Sequence, residues 1–252
     1  VAAVTSGGPI LKPELIVKTV ERLSARIAER FPSSGLASVC TDLATTAQAT
    51  ARRVDRLARP NIALRLLALA VVIVGFAAQV YVAELIDWAG VLKRADPVGI
   101  TQGLDSIVNL LLLAFGAIWF VLTLEQRLKR RQVQTRLHEL RAFAHVIDMH
   151  QLTKDPTVIL SSAGAAAAPT SSSPDRRMSK FELSRYLDYC SEMLALIAKL
   201  AALYAGRARD REVTAGVVEI EELTSDLGRK IWQKIMILSE LDEHRAGNAG
   251  QS

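Results

Sequence analysis

Two stretches of this chain carry no charge over a length that can cross a bilayer. LLALAVVIVGFAAQVYVA, from Leu66 to Ala83, has eighteen residues, and SIVNLLLLAFGAIWFVLTL, from Ser106 to Leu124, has nineteen. At about 1.5 Å per residue, each helix reaches roughly 27–29 Å, near the hydrocarbon thickness of a membrane. A core helix of a soluble protein rarely lacks charge on every face. The pair is therefore predicted to be a transmembrane hairpin, with spans of about 62–85 and 104–124 inside a segment 61–125. A run that starts after some sixty polar-rich residues does not sit where a secretory signal would.

Charge placement sets the expected orientation. Arg52, Arg53, Arg56 and Arg59 precede the first run, with Arg65 at its edge. Arg127, Lys129, Arg130, Arg131 and Arg136 follow the second, whereas the connecting stretch has only Lys93 and Arg94 against four carboxylates. Lys and Arg near span ends stay on the cytoplasmic side. Both termini are thus expected in the cytoplasm, with a short external loop anchored by Trp88. The Ala- and Arg-heavy composition and the initial Val1 point to a bacterial inner membrane. Topology also explains most of the net charge of +5, so nucleic acid is not an expected partner. The same cations, Arg52, Arg53, Arg56, Arg59, Arg127, Lys129, Arg130 and Arg131, are the candidates for meeting anionic lipid head groups.

Half of the residues are apolar but only 5% are aromatic, and no hairpin turn joins β-branched runs, so the expected class is all-α. The first segment, 1–60, is read as amphipathic helices. One runs over Lys12–Arg30 with Leu15, Ile16, Thr19, Leu23 and Ile27 on its apolar side, and a second starts at Leu36 after the FPSSG break. Beyond the second span no breaker occurs before Pro156, which predicts a stalk over 126–156 whose seam is Val133, Leu137, Leu140, Ala144, Ile147 and Gln151. Residues 157–178 read as a flexible Ser/Ala/Pro linker.

A helix restarts at Ser179, where Ser179 and Glu182 have capping-box spacing. The segment 179–243 is then a helical hairpin, followed by a tail over 244–252. Its candidate interaction seam is Leu183, Leu187, Leu194, Ile197, Ile220, Leu227, Ile231 and Leu238, interrupted by Lys234. With the stalk, these helices are expected to form an antiparallel bundle or coiled coil, within one chain or between copies.

Reactive chemistry finds little support. Cys40 and Cys190 are far apart and fit neither a metal knuckle nor a disulfide framework. Metal binding is not expected: His138 and His145 are seven apart where HExxH needs four, and a metal would have to rest on His145, Asp148 and His150. No phosphate-cradling loop and no serine-nucleophile motif occurs. Gln79 and Asn109 are uncharged polar residues within the spans, suited to helix contacts rather than a pore. The expectation is a non-enzymatic inner-membrane scaffold or docking protein without a cofactor, in contact with the lipid bilayer and with further copies or a protein partner. The alternatives are an oligomeric channel or transporter accessory subunit, and a metal-dependent activity at the stalk histidines.

Overall fold

The computed structural model describes residues 11–57, 62–84, 97–154, 178–208 and 210–249. Every regular element among them is a helix: α1 (Pro13–Arg30), α2 (Gly35–Leu57), α3 (Ile62–Glu84), α4 (Pro97–Leu152), α5 (Lys180–Ala208) and α6 (Arg211–Ala249). The expected linker and most of the expected external loop lie outside the described residues. Two boundaries differ from the sequence reading. Helix α4 already begins at Pro97, where proline suits a first turn, and α6 continues to Ala249 through the expected tail.

Local chemistry fixes the helix starts. Pro13 opens α1 with a preset φ and no N–H to leave unpaired. Before α2, the Ser34 hydroxyl donates to the Phe31 carbonyl at 2.8 Å and accepts the Ala37 N–H at 3.2 Å. Before α5, Ser179 and Glu182 cap each other reciprocally: the Ser179 N–H donates to the Glu182 carboxylate at 2.8 Å, and the Glu182 N–H to Ser179 Oγ at 3.2 Å. The Asp210 carboxylate accepts the N–H groups of Glu212 and Val213 and so starts α6.

The described residues within 1–58 and 132–252 form one compact unit, and those within 59–131 form another. In the first, α1 lies closely on α2, α5 lies closely on α6, and both N-terminal helices also rest on α5. Printed side-chain pairs give the directions. Ser24–Thr41 and Glu21–Gln48 make α1 and α2 antiparallel. Arg26–Glu192 and Phe31–Tyr186 do the same for α1 and α5. Thr46–Glu139, with His150 beside Gly35, makes α2 antiparallel to the end of α4. Leu137 beside Gly216, Arg141–Glu219 and Gln151–Lys234 make α4 and α6 parallel.

One apolar cluster holds this unit together, with contributions from α1, α2, the end of α4, α5 and α6. On α1 the buried stripe is Ile16, Val20, Leu23 and Ile27, whereas Leu15 and Thr19, expected on that face, are exposed. The spacing of four, three and four keeps the true stripe on one side. Thr19 instead turns its hydroxyl back to the Leu15 carbonyl. Helix α5 is buried on more than its seam: Tyr186, Tyr189, Met193, Leu196, Leu200 and Leu203 are covered as well, because neighbours surround it on several sides.

Candidate functional site

The second unit contrasts with this core. Between Ile62 and Phe120, eighteen large apolar side chains are more than 40% exposed, among them Val74, Phe76, Leu113 and Trp119. They point in every direction around α3 and α4, so neither helix has a polar face to turn toward water. At one end of this apolar surface stands a charge cluster. Glu125 is only 7% exposed, receives Lys129 Nζ at 2.9 Å from one turn along α4, and meets Arg65 Nε of α3 at 3.5 Å. The shared carboxylate ties the start of α3 to α4. Its signal in the sequence is that Arg65 and Glu125 are the charged residues directly flanking the two apolar runs on the same expected side.

Among the described residues, two helices are long and apolar enough to cross a membrane: the Leu111–Leu152 part of α4, and α5. They differ in what covers them. The apolar window in α4 is almost wholly exposed, whereas α5 lies mostly inside the core of the first unit. Helix α3 carries a shorter apolar stretch, Arg65–Ala78.

Of the cations expected near lipid, Arg52, Arg127 and Arg131 are exposed and Arg53, Lys129 and Arg130 are half-buried. The Arg56 side chain and Arg59 lie outside the described residues. The eight seam residues, Leu183, Leu187, Leu194, Ile197, Ile220, Leu227, Ile231 and Leu238, are all buried in the chain's own core. Their apolar surface is therefore covered by this chain. The large apolar side chains left exposed on the first unit are others, including Met149, Leu152, Phe181, Trp232 and Met236.

The stalk histidines do not converge. Asp148 accepts a hydrogen bond from Gln151 Nε2 at 2.6 Å. His150, two residues and about 200° around the helix, lies against Gly35 of α2, and His145 is exposed. Among the described residues, no group of three His, Cys, Asp or Glu side chains could hold a metal. His138 instead borders an open groove of about 260 Å³ between α4 and α6, floored by Leu137 and Ile220 and crossed by the Arg141–Glu219 ion pair.

Buried titratable groups in this unit are held in their neutral forms. Burial pushes the Cys40 thiol up to about 11 and the Cys190 thiol up to about 12, the latter against the opposing pull of Lys234 and Lys154. Burial likewise raises Tyr204, whose hydroxyl lies 3.3 Å from Thr50 Oγ1, also buried. No protein-family model, no characterised protein and no solved structure matches this chain.

Proposed function

We propose that this chain is an integral protein of a bacterial inner membrane, with α3 and the first part of α4 crossing the bilayer as a hairpin and both termini in the cytoplasm. The first unit then serves as a non-enzymatic helical scaffold, a bundle presented on the cytoplasmic side for self-association or for docking another protein.

The observation that carries the reading is the all-round exposure of apolar side chains between Ile62 and Phe120. Leaving a large apolar side chain in water forgoes about 1.5–3 kcal/mol. For eighteen partly exposed ones, the loss is on the order of 20–30 kcal/mol, more than the ~5–15 kcal/mol by which a whole domain is stable. Such a surface needs an apolar solvent. A bilayer supplies it, and helices satisfy their own backbone groups inside it. The Arg65–Glu125–Lys129 cluster fits the membrane–water boundary, and the cations beyond it favour the cytoplasmic side.

The experiment is expression with reporter fusions at each terminus, followed by alkaline carbonate washing of membranes. The chain is expected to stay in the pellet, with both reporters active only as cytoplasmic fusions. Release into the wash overturns the membrane reading. Mass photometry of the nanodisc-embedded chain, with mass spectrometry of co-purifying proteins, then separates the two scaffold roles. A defined homo-oligomer supports self-association, a stoichiometric partner supports docking, and a lone monomer removes both.

A further inference from the structure

Helices α4 and α6 run in parallel, and each turns a seam of the same period into the core. On α4 the buried positions are Val133, Leu137, Leu140, Ala144, Ile147 and Gln151; on α6 they are Val213, Val217, Ile220, Thr224, Leu227 and Ile231, then the half-buried Lys234, then Leu238. Both rows alternate steps of four and three. Sliding one helix past the other by seven residues, about 10.5 Å, again sets apolar against apolar over most of the seam. Apolar contact alone therefore leaves more than one register available.

The polar layer removes that degeneracy. Lys234 Nζ donates to the Gln151 main-chain oxygen at 3.0 Å and to Gln151 Oε1 at 2.7 Å. Gln151, 2% exposed, spends its amide N–H on Asp148, and its main-chain oxygen also accepts the Lys154 N–H at 3.1 Å. That oxygen can take a lysine as well because Gln151 sits in the last turn of α4, where no N–H four residues on claims it. One heptad earlier stands Ala144, whose carbonyl lies in the helix interior and whose side chain accepts nothing. A slip that set Lys234 there would take both Gln151 oxygens from its ammonium, and the opposite slip would set Gln151 against Leu227.

A second contact reads the same register from the other side of α4. His150 packs so closely on Gly35 that a Cβ at that position would stand 2.4 Å from His150 Cε1. A heptad slip would bring the larger Phe143 to this place.

We propose that Lys234 and Gln151 form a register lock, which holds the end of α4, residues 132–152, in one of the heptad registers that its apolar seam allows within the first unit. The lock does not depend on whether the apolar helices cross a bilayer.

The test uses the full chain in nanodiscs, with Cys40 and Cys190 replaced by alanine and spin labels at His145→Cys and Thr214→Cys, sites exposed on α4 and α6 and offset along their axes. Pulsed electron resonance should give one narrow distance for the otherwise unaltered chain. Lys234→Leu should add a second population displaced by up to about 10 Å, the length of a heptad, while Lys234→Arg should restore the single distance. A single unchanged distance in Lys234→Leu overturns the proposal. Should that variant fail to fold by circular dichroism, Lys234→Leu with Gln151→Leu fills the layer with apolar side chains. A single unchanged distance in this double variant overturns the lock equally.

Discussion

Gly228 stands in the middle of α6 with nothing within 4 Å of where a Cβ would sit. Glycine in a helix interior costs about 1 kcal/mol relative to alanine through chain entropy, so Gly228→Ala should stabilise the protein by up to that amount, read as a rise in the urea midpoint. Ile197 is the opposite case, fully buried in α5. Ile197→Ala should cost about 2–5 kcal/mol, since the cavity it leaves adds to the lost transfer energy. The two cysteines give a chemical readout of the same core. With thiols pushed up to about 11 and about 12 by burial, both remain protonated at pH 8 and are shielded from reagent. A disulfide reagent at pH 8 should label neither in the folded chain and both in denaturant; rapid labelling of either in the folded chain would contradict the packing of α5 described above. Seams such as Leu183, Leu187, Leu194 and Ile197 were legible from period alone, because spacings of four and three mark one side of any helix. The same spacing runs through Ile16, Val20, Leu23 and Ile27 on α1, so the period itself favours Val20 over the Thr19 expected there.

At the scale of elements, helix starts were the more readable ends. The Ser179–Glu182 box appears in the sequence as a four-residue pattern and in the structure as two hydrogen bonds. Ser179→Ala should weaken α5 by about 1 kcal/mol. The Glu182 side chain, held by the Ser179 N–H and hydroxyl, has its carboxyl lowered below the usual carboxylate range. A group with a depressed folded value adds stability above its unfolded value and loses it as pH falls through the folded one. Glu182→Gln should therefore flatten the loss of stability expected between neutral pH and the range below 4.5, the ordinary value for such a carboxyl. An unchanged acid limb in urea titrations would show that the carboxylate contributes nothing. What the sequence does not disclose is the partner of each face. The seam of α4 reads the same whether α6 of its own chain or a second copy fills it, and Lys234 reads only as an interruption until Gln151 is placed opposite. Likewise, nothing in residues 13–57 announces that α1 and α2 rest on α5, more than a hundred residues away.

For the whole molecule, the division of labour between the two units makes a separable prediction. The second unit holds most of the exposed apolar side chains, while each remaining helix buries an apolar face in one core. The Thr46–Glu139 hydrogen bond and the Gly35–His150 contact run α2 and α4 in opposite directions. Continuing that pairing by seven residues on each helix brings Arg53 level with Gln132, so the end of α2 and the first unit's start of α4 lie side by side. Replacing 59–131 with a short Gly/Ser linker should then give a chain that is soluble without detergent, strongly helical, and cooperative in urea unfolding. Its Cys40 and Cys190 should be as unreactive as in the full chain, since the residues covering them are retained. The full chain should aggregate once detergent is withdrawn. Were the shortened chain also to aggregate, or its thiols to react at once, the first unit would depend on the apolar helices for its fold, and the bundle could not be a self-standing scaffold carried by a membrane hairpin.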